Sequence, residues 1–238
     1  IYLVIFLCTY ELKNISSIKG YSFNLSFLYI IYSFMFLSYF LDFSSVIINV
    51  ILLFLCMVLF ILELYNKNKF SLENISITLL VFIWIACFLD KAIYLRYLDN
   101  GFQIMLSIFL SVWVCDSAAF IVGTKLGNRK IAPSISPNKT WEGTIAGFIF
   151  STLFIYFLVQ NQFLQINNYL FTINDVFIMG FIIGVIGQLG DLFESMIKRE
   201  FGVKDSGTLL QGHGGVLDRF DSLLFTIPAF YIYLKLII

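Results

Sequence analysis

A chain of 238 residues that is 60% hydrophobic and only 13% charged cannot clothe a water-facing surface, since soluble domains carry roughly 25% charge. Its 15 Lys+Arg cancel 15 Asp+Glu, so it lacks the basic excess of a nucleic-acid binder, and its oiliness excludes intrinsic disorder. A mean hydropathy of +0.91 instead places it in a lipid bilayer.

A membrane-crossing helix needs about 20 mostly apolar residues. Such spans are predicted at 1–10 (partial), 21–41, 44–65, 75–95, 102–122, 144–160, 170–189 and 222–238. They are apolar on every side and do not alternate as barrel strands would. The expected fold class is all-α, a polytopic transmembrane helical bundle of about eight spans. Ile1 lies inside an apolar run with no initiator methionine, which predicts an N-terminal truncation and a longer first span. No basic region or small-residue cleavage site marks residues 1–10 as a signal peptide.

Loop charges set the expected topology. Segments 11–20, 66–74, 123–143 and 190–221 hold 12 of the 15 Lys/Arg, and the remaining three lie in 90–101 and at Lys235. The positive-inside rule then puts the two long polar loops, 123–143 and 190–221, in the cytoplasm. Composition also shifts near residue 115: 13 of 15 glycines and all three prolines lie at or beyond Gly123. Residues 1–112 read as a transmembrane scaffold, and 113–238 as a transmembrane catalytic region. Cys8, Cys56, Cys87 and Cys115 lie in apolar runs without CxxC spacing and read as buried thiols. A single histidine, His213, excludes multi-histidine metal sites.

Four groups of residues could carry chemistry. Asp116 is an acid inside an apolar span, where it either faces a polar cavity or caps an earlier helix end at the interface. The loop 123–143 carries Lys139 between Ser136 and Thr140; its cations either bind phosphate or only orient the chain. In 180–199, Gly180, Gly184 and Gly187 recur at helical spacing and allow a close helix neighbour. If that helix continues, Asp191, Glu194, Ser195 and Lys198 form one stripe. The blander reading there is a solvated Glu194–Lys198 pair.

The last group is Lys204-Asp205-Ser206-Gly207 through Gly212-His213-Gly214-Gly215 to Asp218-Arg219-Phe220-Asp221. Glycines around His213 let backbone N–H groups converge on an anion. Asp218 and Asp221 share a helix face, where they either cap the helix or hold a hard, oxygen-ligated cation such as Mg²⁺.

From Ser195-Met-Ile-Lys198-Arg199 to Asp221 the chain resembles, over 27 positions, the signature of phosphatidate cytidylyltransferases, the CDP-diacylglycerol synthases. Asp116-Ser-Ala-Ala-Phe120, Gly123 to Gly127 and Ser136 to Gly143 resemble further blocks of that family, with Phe120 where its members usually have tyrosine. The resemblance covers about 113–225 and is only compositional over 1–112. It implies a metal-dependent reaction of CTP with phosphatidate, giving CDP-diacylglycerol and pyrophosphate in phospholipid biosynthesis. It also implies a bacterial inner (cytoplasmic) membrane, a cytoplasm-facing site and a homodimer.

By the same resemblance, Asp191, Asp218 and Asp221 ligate Mg²⁺ in a two-metal centre whose second ion is unspecified. Lys198, Arg199, Lys204, Asp205, His213 and Arg219 are the expected catalytic residues. Asp116, Ser136, Lys139, Thr140, Glu194, Ser195, Gly212, Gly214 and Gly215 are expected to bind substrate. Two alternatives are a transporter of an anionic solute and another CDP-lipid-handling transferase, although the D-G-x2-A-R pattern of CDP-alcohol phosphotransferases is missing.

Overall fold

The computed structural model describes residues 1–41, 43–65, 71–166, 169–208 and 214–237. Helices dominate: α1 (Tyr2–Ser17), α2 (Leu25–Phe40), α3 (Ser45–Tyr65), α4 (Ser71–Val81), α5 (Phe88–Tyr97), α6 (Gly101–Leu126), α7 (Trp141–Gln160), α8 (Ile173–Phe181), α9 (Gln188–Glu200) and α10 (Leu217–Ile237). A wider π turn at Phe82–Cys87 joins α4 to α5, and another at Ile182–Gly187 joins α8 to α9. Among the described residues, six continuous helical stretches are long and apolar enough to cross a bilayer: Val46–Glu63, Leu72–Tyr97, Gly101–Leu126, Trp141–Gln160, Ile173–Glu200 and Leu217–Ile237. The chain is a polytopic helical bundle. The expected count of about eight is approximate, because α1 and α2 are shorter, at 16 residues each.

Two compact units divide the chain. The first comprises Ile1–Cys87 with Ser206–Leu217. Within it, α1 meets α2 through edge-on aromatic packing, with Phe6 and Tyr29 ring centres 4.6 Å apart, and Thr9 Oγ1 lies 3.1 Å from the buried Tyr32 hydroxyl. Ser22 N donates to Asn74 Oδ1 at 3.0 Å, tying the α1–α2 connection to α4. Leu53, Phe54 and Met57 leave an exposed apolar face on α3, as a lipid-facing helix should. Segment 11–20 is not the loop its charges predicted: α1 runs on to Ser17 and buries Glu11 and Leu12. The charge of Glu11 is satisfied by donors inside the unit, so it does not end the helix.

The second unit comprises Phe88–Asp205 with Asp218–Ile238. Its central contact is α6 against α7, where a Cβ at Gly143 would lie 2.7 Å from Ala119 O and 3.2 Å from Gly123 Cα. The glycine run predicted to admit a neighbour does so: a Cβ at Gly184 would meet Phe148 Cα of α7 at 2.4 Å, and one at Gly187 would meet Thr226 Oγ1 of α10 at 2.7 Å. Beyond the run, a Cβ at Gly190 would meet Asp221 O of α10 at 2.7 Å. Thr172 caps α8 in a capping box with Asp175, and the Tyr233 hydroxyl of α10 also donates to that carboxylate. Start of α8 and end of α10 are thereby joined.

Both predicted long loops are shorter than expected. Helix α6 continues to Leu126, and a small antiparallel hairpin, β1 (Lys130–Ala132) and β2 (Ser136–Thr140), leads directly into α7. Thr140 Oγ1 caps α7 by accepting from Gly143 N at 3.2 Å. Helix α9 carries the charged stripe as far as Glu200, because those side chains pair at helical spacing and need no loop.

Replacing Gly184 with valine should strain the α7 contact by about 1–3 kcal/mol, the usual range for overpacking. Thermal unfolding in detergent checks this. Leu153→Ala, on the exposed face of α7, should change stability by no more than about 0.5 kcal/mol.

Candidate active site

The acids gather where α9 and α10 cross. Once α9 is helical through Asp191, Glu194 and Lys198, these three side chains share a face, and the close approach at Gly190 lays the first turns of α10 beside them. Carboxylate oxygens of Asp191, Glu194 and Asp221 lie within 4.8 Å of one another. Such crowding of like charge is unfavourable unless cations offset it.

Two lysines do so. Lys198 Nζ lies 2.6 Å from Glu194 Oε2 and 2.8 Å from Asp218 Oδ1, with 11% of its side chain exposed and none of Glu194's. Lys139, delivered by the hairpin, places Nζ 2.6 Å from Asp191 Oδ2. Ser195 Oγ donates to Asp191 Oδ1 at 3.4 Å. Glu194–Lys198 is therefore a buried bridge that also reaches Asp218, and not a solvated pair.

The carboxylates fit a hard cation. All three donors are oxygens, the set preferred by Mg²⁺ or Ca²⁺. Glu194 Oε1 is buried with no hydrogen-bond partner among the described residues, a state that would be expensive without a positive ligand. Asp191 and Asp221 of the expected ligand set lie in this cluster. Asp218 is paired with Lys198, and Glu194 stands beside the other two.

Asp191 also lines a cavity of about 570 Å³ with Asp116, Gly123, Lys130, Lys139 and Gln188. Asp116 sits well inside α6, which runs on to Leu126, so it faces a cavity and does not cap a helix end. Thr140 lines the same cavity while capping α7. Gln188, which the sequence did not single out, also lines the cavity. Its Nε2 donates to Gly184 O at 2.6 Å and Thr144 O at 3.2 Å and approaches Cys115 Sγ at 3.4 Å. A polar side chain closing a run of glycines and apolar residues was the available signal.

Other predicted residues lie apart from the cluster. Arg199 donates Nε to Ile135 O at 3.2 Å and Nη1 to Val203 O at 2.9 Å, tying the hairpin turn to the end of α9. Ser136 pairs with Ala132 in the hairpin. Lys204 and Asp205 are exposed beyond α9, and Arg219 is exposed on α10. Gly214 has φ of 80°, a left-handed conformation open to glycine, and Gly215 is buried just ahead of α10. Gly212 and His213 lie outside the described residues.

Comparison with known proteins adds relatives to this geometry. The sequence model described as the Cytidylyltransferase family matches residues 1–237. A protein of Staphylococcus saprophyticus named phosphatidate cytidylyltransferase is 41% identical over 169 residues, 71% of this chain and 62% of that protein. Bacillus subtilis and Staphylococcus haemolyticus proteins of the same name are each 38% identical, over 78% and 71% of this chain and 68% and 62% of their own lengths. The chain thus spans 62% of the Staphylococcus relatives it matches.

The lysine bridge has a measurable signature. Lys198→Met strands the fully buried Glu194 and should destabilise the protein by about 3–5 kcal/mol, as loss of one partner of a buried pair does. Adding Glu194→Gln should recover part of that loss. Thermal unfolding of the single and double variants in detergent reads both.

Proposed function

The chain belongs to the Cytidylyltransferase family, and from that premise we propose that it is a phosphatidate cytidylyltransferase, converting CTP and phosphatidate to CDP-diacylglycerol and pyrophosphate. One observation carries the reading: Asp191 belongs both to a three-carboxylate cluster and to the wall of a cavity that also presents Lys139 and Lys130. Acids suited to a divalent cation thus adjoin lysines suited to phosphate, the pairing that transfer between two polyanions requires.

In this reading a phosphatidate oxygen attacks the α-phosphorus of CTP in line, and the bond to pyrophosphate breaks. The lipid phosphate is already anionic near neutral pH, so no strong general base is needed. The protein must bring the two polyanions together and balance charge on the leaving group. Lys139 and Lys130 attract phosphates into the cavity. Lys198, held between Glu194 and Asp218, keeps the acids from repelling one another apart. Asp191, Glu194 and Asp221 would hold Mg²⁺, which supplies charge neutralisation and polarisation of phosphoryl oxygens. Asp218, paired with Lys198, would serve a second ion. Asp116, Thr140 and Ser195 serve substrate binding around that centre.

Residues 113–238 carry the chemistry, and 1–112 serve as scaffold. The uneven division of cations supports a cytoplasm-facing site in a bacterial inner membrane. Such a site lets two acyl chains stay in lipid while the phosphate enters the polar cavity. A homodimer belongs to the same reading and rests on family resemblance.

Pyrophosphate released from CTP by purified protein only when phosphatidate is present tests the assignment. A transporter of an anionic solute would leave CTP intact. EDTA should abolish incorporation of labelled CTP into lipid, and added Mg²⁺ should restore it. Asp191→Asn, Asp218→Asn and Asp221→Asn should each lower that incorporation by roughly 100-fold or more, the scale of losing several kcal/mol of transition-state stabilisation. Wild-type rates in any of the three would remove that acid from the metal centre. Lys139→Met should raise KM for CTP by about tenfold, equivalent to one charge-assisted hydrogen bond.

A further inference from the structure

Glu11 lies midway along α1 with 1% of its surface exposed. A carboxylate buried so deeply is costly unless donors surround it. Three do: Val216 N donates to Oε1 at 2.8 Å, and Leu217 N and Ser206 Oγ each donate to Oε2 at 2.9 Å. These donors come from the two ends of the 206–217 segment. Val216 and Leu217 also stand at the start of α10, where amides lack intrahelical acceptors and the helix dipole favours negative charge. A side chain of α1 therefore caps α10 from outside it.

Two signature glycines become intelligible through this carboxylate. A Cβ on Gly215 would lie 2.4 Å from Glu11 Oε2 and 2.1 Å from Ser206 Oγ, and one on Gly207 would lie 2.9 Å from Glu11 Oε1. Any larger residue at 215 would displace the carboxylate from its donors. The small size of Gly215 is thus required by Glu11 itself, without any bound anion. Leu217, which Glu11 holds, is bonded directly to Asp218, and Asp221 follows on the next turn of α10.

We propose that Glu11 is a positioning residue: its carboxylate anchors both ends of the 206–217 segment and so sets the first turn of α10, with Asp218 and Asp221, for the metal-dependent reaction. The proposal rests on the functional reading above, and its test separates the two. The full chain is purified in detergent as wild type, Glu11→Gln, Glu11→Asp and Ser206→Ala. Glutamine keeps the shape but turns one acceptor into a donor facing other donors. Ser206→Ala removes the hydroxyl's bond and leaves the two amide bonds in place.

Amide exchange at Val216 and Leu217 should accelerate by about tenfold or more in Glu11→Gln, as for amides released from a local cap. Mn²⁺ affinity, read by electron paramagnetic resonance, and kcat at saturating CTP should each fall about 10-fold or more, as when a group supporting a metal ligand is lost. KM for phosphatidate should stay within about twofold, because uniform substrate binding is untouched. Glu11→Asp, which keeps the charge, should recover part of the Mn²⁺ affinity, and Ser206→Ala should shift all readouts the same way by less.

Unchanged exchange at Val216 and Leu217 overturns the anchor. Accelerated exchange with wild-type Mn²⁺ affinity and kcat overturns the positioning role and leaves Glu11 a stabilising residue only. If Glu11→Gln does not fold, the same readouts in Ser206→Ala decide. If wild type forms no CDP-diacylglycerol, the functional reading fails, whereas exchange and Mn²⁺ affinity still decide the anchor.

Discussion

Every buried carboxylate in this chain must find a positive partner or a set of donors inside an apolar bundle, and that requirement shapes both compact units. Removing a charge from water costs several kcal/mol even after relaxation. Glu194 meets the requirement with Lys198, which also reaches Asp218. Asp191 meets it with Lys139, Asp175 with Thr172 and two tyrosines, and Glu11 with two amides and a serine. In the acid cluster Lys198 answers Glu194, Lys139 answers Asp191 and Ser222 N donates to Asp221 Oδ1, while Glu194 Oε1 keeps no hydrogen-bond partner among the described residues. Held this way, the acids are available to a divalent cation without the structure depending on one for its helices.

The backbone makes those answers geometrically possible. Glycines 184 and 190 bring α7 and α10 within reach of the α8–α9 stretch on successive faces. Gly184 lies inside the π turn at Ile182–Gly187 and Gly190 just beyond it, and an extra residue in one turn shifts the facing of everything downstream. Gln188, the first residue after that turn, bonds to Gly184 O and Thr144 O and locks the crossing. The hairpin then supplies Lys139 to Asp191. Small residues and one irregular turn thus convert helix packing into a charged site.

Much of this is legible in the sequence. Helical spans follow from composition, because a bilayer forces backbone groups to pair within each segment. The stripe from Asp191 to Lys198 and the Asp218–Asp221 pair follow from the 3.6-residue period alone. The glycine run announced a close neighbour, although not that it would serve two helices. Loop lengths were overestimated, since a charge in sequence looks like an exit from the membrane and Glu11 and Glu194 are both buried. The partners of Arg199, the carbonyls of Ile135 and Val203, follow from no local pattern.

The sequence by itself determined the solvent, the helical class and which acids and cations share a helix face, because those depend on composition and on spacing along one segment. Tertiary structure alone decided the partners. Glu194 rather than Asp218 stands with Asp191 and Asp221, Lys198 bridges the two helices, and Glu11 reaches a segment some 195 positions away. Pairings of that range depend on which helices touch and how closely, and no local period encodes them.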